Sequence, residues 1–150
     1  MAMTYKTIVV AIDGSKEAEW AFKKAIQIAK RNDAKLILSH IIDVRSFAIV
    51  DGYDLTVTER AEKYAKELLD NYQKQAIKAG LKDVTIDIEF GSPKVKIAKE
   101  VAPKYQADLI ICGATGLNAV ERLLIGSVSE HITRYAKCDV LVVRTEKEGE

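Results

Sequence analysis

Apolar positions along this 150-residue chain follow two rhythms in alternation. Residues 6–12 are a β-branched run that stops at Asp13-Gly14-Ser15, and its length and composition predict a buried parallel strand. Residues 16–31 switch to a helical period. Ala18, Ala21, Phe22, Ala25, Ile28 and Ala29 share one face, with Lys23, Lys24, Gln27 and Lys30 opposite. Trp20 lies off that stripe, where half-exposure or an interface would suit it. Residues 35–43 predict a second strand. Residues 44–57 show no period and predict an irregular loop with a helical turn near Phe47-Ala48-Ile49; a loop of that length at a strand's carboxyl end could serve as a lid. Residues 58–79 return to helical spacing through Ala61, Tyr64, Ala65, Leu68, Leu69, Tyr72 and Ala76, and Gly80 supplies the stop. The Tyr64 and Tyr72 stripe reads as core.

The second half repeats the alternation. Residues 84–90 alternate strictly, which predicts an edge strand with one wet face. Ser92 and Pro93 predict a helix cap and first helical position, with Pro103 disturbing the last turn. A fourth strand is predicted over 107–112, a helix over 127–136 and a fifth strand over 139–144, before a charged tail. Strand and helix in alternation predict a single α/β domain over residues 1–150: an open, doubly wound parallel sheet of five strands with helices on both faces. In such sheets ligands bind at the carboxyl ends of the strands, where strand order reverses. If strands one and four are neighbours there, the order is 3-2-1-4-5 and Asp13 faces the loop after strand four.

That loop carries the most chemistry. Residues 112–129 read Cys-Gly-Ala-Thr-Gly-Leu-Asn-Ala-Val-Glu-Arg-Leu-Leu-Ile-Gly-Ser-Val-Ser. Gly113 and Gly116 would allow positive φ and a close backbone approach to a ligand. Gly126, Ser127, Val128 and Ser129 fall at a helix start, where unpaired N–H groups favour an anion, and Ser127 and Ser129 add hydroxyls. The same residues also suit ordinary turn and cap chemistry. Asp13 has a plain alternative of its own, as a cap for the first helix. Neither Gly-x-x-x-x-Gly-Lys-[Ser/Thr] nor an opening Gly-x-Gly-x-x-Gly is present.

The spacing Gly113-x2-Gly116-x9-Gly126-Ser127 resembles the ATP-binding signature of the universal stress protein family. The opening Ile8-Val9-Val10-Ala11-Ile12-Asp13-Gly14-Ser15 is similar to that family's first strand and loop, His40-Ile41-Ile42-Asp43 to the end of its second strand, and residues 138–143 to its last. The resemblance implies the same fold and strand order, and a binding module for ATP, ADP or AMP with Mg²⁺ that acts in stress regulation. It implies that Ala11, Ile12 and Asp13 approach base and ribose, with Asp13 accepting from ribose hydroxyls. Ile41 would pack on adenine, the backbone of Cys112 and Gly113 would border the nucleoside, and Gly116, Gly126, Ser127, Val128 and Ser129 would hold phosphates. The chain departs from the family pattern at Ala114, Thr115 and Leu117, where small polar or basic residues are common; no basic side chain of the loop reaches the terminal phosphate unless Arg122 folds back.

Composition narrows the alternatives. The formal net charge is +1, with acidic and basic residues interspersed, which gives no footprint for nucleic acid. No apolar run approaches the ~18–20 residues needed to cross a bilayer, and the N-terminus has no apolar secretory region, so a cytoplasmic protein is expected. Cys112 and Cys138 fit no metal spacing. His40 and His131 are far apart, and no carboxylate adjoins a plausible nucleophile, so a binding module is expected rather than an enzyme; slow ATP hydrolysis aided by a bound metal, or a dimerisation module with an empty pocket, are the alternatives. Strand five adds a partner. Val140-Leu141-Val142-Val143 is continuously apolar, an unprotected edge that invites a homodimer by antiparallel strand pairing.

Overall fold

The computed structural model describes residues 4–43, 55–114 and 125–144. Five strands, β1 (Thr7–Ala11), β2 (Lys35–Asp43), β3 (Val84–Gly91), β4 (Leu109–Gly113) and β5 (Asp139–Val143), form one sheet in the order β3-β2-β1-β4-β5. Every pairing is parallel. The expected fold and strand order are therefore those observed. Side chains alternate across the sheet. Ile8, Val10, Leu36, Leu38, Leu109 and Ile111 face helices α1 (Lys16–Asn32) and α2 (Leu55–Lys78). Val9, Ile37, Ile41, Ile110 and Cys112 face the other layer. That layer is α3 (Pro93–Lys96), a π-helical stretch Ile97–Val101, α4 (Ala102–Tyr105) and, after the loop, α5 (Ser127–Tyr135). With helices on both faces the central strands have no wet side, which is why they read as continuous apolar runs.

Several local expectations are corrected. Helix α2 begins at Leu55, so residues 55–57 are helical rather than loop; the turn expected near Phe47-Ala48-Ile49 lies outside the described residues. Tyr72 is buried and meets the Phe22 ring at 4.5 Å, but Tyr64 is 55% exposed and is not core. The stripe that α2 buries is narrower than its apolar spacing suggests. Strand β3 is an edge, as its alternation predicts, yet its polar face is not wet. Asp87 is only 5% exposed, lying beneath α4, where its Oδ2 accepts from Lys104 Nζ (2.8 Å) and the Tyr105 hydroxyl (2.6 Å). Ser92 occupies the cap position of α3 and Pro93 its first turn, but the Ser92 side chain makes no capping bond. The disturbance expected at Pro103 appears one turn earlier. A proline ring crowds the carbonyl four residues back, and the widened turn with Ala102 N–H bonded to the Ile97 carbonyl relieves that crowding.

Candidate functional site

The strand order reverses between β1 and β4, so the segments leaving those two neighbouring strands start side by side at the carboxyl edge of the sheet, where folds of this kind place a crevice. On the β1 side the chain makes a compact turn. The Asp13 carboxylate accepts from the Ser15 N–H at 2.9 Å and from the Ser15 hydroxyl, both through Oδ1. Ser15 in turn caps α1, its Oγ accepting from the Ala18 N–H at 3.1 Å. Asp13 is thus not the helix cap; it stands outside the helix, is exposed, and meets Ser15 through Oδ1 alone. Gly14 completes the turn at φ +89°, a left-handed conformation that favours glycine.

On the β4 side the base of the loop is drawn tight. The Ala114 N–H donates to the Val143 carbonyl (2.8 Å), while the Ala114 carbonyl accepts from the Gly126 N–H (2.6 Å) and the Ser129 hydroxyl (2.9 Å). The first bond ties the end of β4 to β5, and the other two join it to the start of α5. They also use up two of the expected ligand groups, since the Gly126 N–H and the buried Ser129 hydroxyl both close the neck. Gly113 is not left-handed but a β4 residue paired with Val143. A Cβ there would sit 2.9 Å from Glu17 Cβ and 3.0 Å from the Glu17 carbonyl carbon, so the glycine serves the approach of α1 to the sheet. Gly116 and Arg122 lie outside the described residues.

The groups left to meet an anion are main-chain ones. Gly126 is the N-cap of α5, with φ −66° and ψ 160°, and the first intrahelical bond runs from the Glu130 N–H to the Gly126 carbonyl (3.0 Å). The N–H groups of Ser127, Val128 and Ser129 therefore precede the helix's own bonds and point out of its N-terminus, where the dipole is positive. Ser127 is exposed and adds its hydroxyl. Ala11, Ile41 and Cys112, near the carboxyl ends of β1, β2 and β4, lie in or against the apolar cluster on the α3–α5 face. Ile12 differs, since its side chain is in the core on the α1–α2 face. Its N–H donates to the Ser39 carbonyl (2.8 Å), and its carbonyl accepts from His40 Nδ1 (2.7 Å), so only its backbone borders the site.

Neither cysteine is a poised nucleophile. Burial pushes the Cys112 thiol up to about 12, and burial first and then Asp139 and Asp108 raise that of Cys138, so both stay protonated near neutrality. His40 packs toward α2, whereas His131 belongs to α5 on the other face, stacked on Tyr135 at 4.4 Å. Burial, with Lys99, Lys94 and Arg134 nearby, lowers the His131 pKa. Sequence reasoning missed His40 and Tyr64 as neighbours of the Asp13 turn; their link to it crosses two strands and a helix, and no local spacing reports it.

An open parallel sheet in the order β3-β2-β1-β4-β5 with helices on both faces defines a doubly wound α/β fold. The sequence profile described as the universal stress protein family matches residues 4–144. The chain belongs to that family. A protein of Staphylococcus haemolyticus named as a universal stress protein is 54% identical over 145 residues, covering 97% of this chain and 88% of its own. Among solved structures, a universal stress protein from Lactobacillus plantarum is 27% identical with a TM-score of 0.81, over 95% of this chain and 100% of that one. A universal stress protein solved in complex with cAMP is 31% identical with a TM-score of 0.75, over 96% and 100%. No helix among the described residues is long and apolar enough to cross a membrane.

Proposed function

We propose that this universal stress protein binds ATP, or ADP or AMP, as a regulatory ligand and does not turn it over as an enzyme. The observation that carries the reading is the placement of the Asp13 turn and the connection into α5 after β1 and β4, the two strands where the order reverses, with the α5 N-terminus open. A nucleotide needs those two chemistries at its two ends: an acceptor for ribose hydroxyls, and N–H donors for phosphates. The apolar residues Ala11, Ile41 and Cys112 suit the base. The cAMP complex of a relative supports a nucleotide as the ligand class. The phosphate donors in this reading are the N–H groups of Ser127, Val128 and Ser129 with the Ser127 hydroxyl, while Gly113, Gly126 and the Ser129 hydroxyl shape the loop that presents them. Gly116 completes the set beyond the described residues. A Mg²⁺ ion fits as a passenger on the phosphates. The described residues contain no group of three or more His, Cys, Asp or Glu that could hold a metal, so the ion would neutralise phosphate charge with few protein ligands.

The protein also acts, in this reading, as a homodimer joined through Val140, Leu141, Val142 and Val143 at the β5 edge. Ser127→Pro is the sharpest variant for the nucleotide. Proline is favoured at the first helical position, and Gly126 already holds the extended conformation that precedes a proline, so the helix survives while one N–H and one hydroxyl vanish. Calorimetry with ATP and Mg²⁺ should show binding by the natural chain, weakened about tenfold or more in Ser127→Pro. No heat from the natural chain, or equal affinity in the variant, overturns the reading.

A further inference from the structure

Two rings hold the Asp13 turn from behind. Strand β1 ends at Ala11, and the last bond to β2 on that side is the Ile12 N–H to the Ser39 carbonyl at 2.8 Å. The Ile12 carbonyl is taken by a side chain instead: His40 Nδ1 lies 2.7 Å from it. A carbonyl only accepts, so Nδ1 carries the proton and the imidazole is fixed as the donor. That bond sets the tilt of the Ile12–Asp13 peptide plane, and hence where the Asp13 side chain leaves the backbone. Tyr64 of α2 approaches from the same side. Its ring meets that of His40 at 6.4 Å, edge to face. Its hydroxyl stands 2.8 Å from where a Cβ on Gly14 would be, so it covers the bare glycine of the turn. Tyr64 remains more than half exposed, so core packing does not account for an aromatic at that place.

We propose that His40 and Tyr64 are positioning residues that preset the Asp13 carboxylate for the ribose hydroxyls of the bound nucleotide. The inference rests on the nucleotide reading above and adds what controls ribose selectivity. Asp13 Oδ1 is occupied by Ser15, so one carboxylate oxygen remains for the sugar, and its direction is worth fixing before the ligand arrives. The two rings never touch the ligand in this scheme. They act through the peptide plane and the turn, and their loss should weaken only the part of binding that uses Asp13.

The test compares ATP with 2′,3′-dideoxy-ATP, each with Mg²⁺, by calorimetry. The natural chain should prefer ATP. His40→Phe keeps a ring against Tyr64 and removes the donor; it should lose about tenfold in affinity for ATP and leave the dideoxy ligand unchanged, so the preference collapses. His40→Asn places an amide nitrogen near the position of Nδ1 and should restore most of the preference. Tyr64→Phe removes only the hydroxyl and should cost about threefold for ATP alone. Amide exchange at Gly14 and Ser15 without ligand should quicken in His40→Phe and recover in His40→Asn. Equal weakening of both ligands would reduce the rings to a general stabilising role and overturn the proposal, as would an unchanged preference in every variant. Failure of the natural chain to bind either ligand is a separate result: it removes the nucleotide reading itself, and this inference with it.

Discussion

At one edge of the sheet, β3 turns Thr85, Asp87 and Glu89 toward α4, and Lys104 reaches both carboxylates, at 2.8 Å from Asp87 and 3.3 Å from Glu89. Lys96 approaches Glu89 from the other side at 3.8 Å. At the opposite edge, β5 carries Val140 and Val142 against one core cluster and Leu141 and Val143 against the other, all half-buried, with no charge among them. Both strands have one open side. Charged side chains clasped along β3 discourage another strand from joining it, while the apolar run of β5 carries no such charge. The contrast indicates that the two edges have different destinies. One carries charges held by the protein's own helices, and the apolar run of the other carries none.

The largest effect should come from making the edges alike. Val140→Lys with Val142→Lys puts charges on β5 as natural edge strands do. Both side chains are half-buried, so the lysines can reach solvent along their stems. In the proposed dimer the change should convert the particle to monomer while far-ultraviolet circular dichroism is retained. Sedimentation velocity reads the outcome; a variant that keeps the dimer mass, or a natural chain that is already monomeric, places the contact elsewhere or removes it.

Opening the clasp on β3 comes next. Lys104→Met leaves the buried Asp87 carboxylate with the Tyr105 hydroxyl as its remaining close donor. Removing one partner of a buried carboxylate is costly, but the Lys104 head is half in water, so the expected loss is about 2 kcal/mol rather than the full cost of breaking a buried pair. Urea denaturation should show it as a lowered midpoint with an unchanged slope. A loss under about 0.5 kcal/mol would mean that the clasp discourages pairing without stabilising the edge.

The same contrast marks what could be read from the chain alone. The central strands, the order 3-2-1-4-5 and both edge positions were legible, because periodicity and run length are local and the connection rules are few. For the candidate site, the segments were legible and the roles of single residues less so. Asp13 lies in the turn after β1 and Gly126 caps α5 after β4. Gly113 matched a phosphate-loop spacing, but the backbone of Glu17 explains it, and that neighbour is nearly a hundred residues away in sequence. The Ser129 hydroxyl closes a neck through Ala114, a partner fifteen residues back. Asp87 read as wet because a carboxylate at every other position implies solvent; Lys104 and Tyr105, seventeen and eighteen residues on, bury it. Tyr64 read as core because its spacing on α2 suits the stripe, and only the position of His40 shows what it covers. In each case the error came from a residue whose partner lies beyond the reach of a helical or strand period.

The smallest effect should be one that fades in acid. Burial alone would raise the Asp87 carboxyl, but the hydrogen bonds from Lys104 and Tyr105, with the Lys104 charge, outweigh it and hold the pKa below its ordinary value. In the unfolded chain Asp87 should protonate near about pH 3.9. Between that value and the lower folded one, the unfolded state binds more protons, so stability rises with pH across the window. The contribution is therefore complete above the unfolded pKa and is lost as pH falls through the folded one. Asp87→Asn keeps the shape and removes the titration. Its stability should be lower than that of the natural chain near neutrality, by about 1 kcal/mol, and the gap should narrow as the solution is acidified below about pH 4. Alkali gives the opposite sign at the same cluster. Burial and then the bond to Asp87 raise the Tyr105 hydroxyl, so its share of stability is present below its unfolded pKa and disappears as pH climbs through the folded value. Thermal melts of both proteins across the acid range decide the matter. If the two curves stay parallel down to pH 2, the clasp on β3 is not ionic in the sense drawn here, and charge is not what separates the two edges.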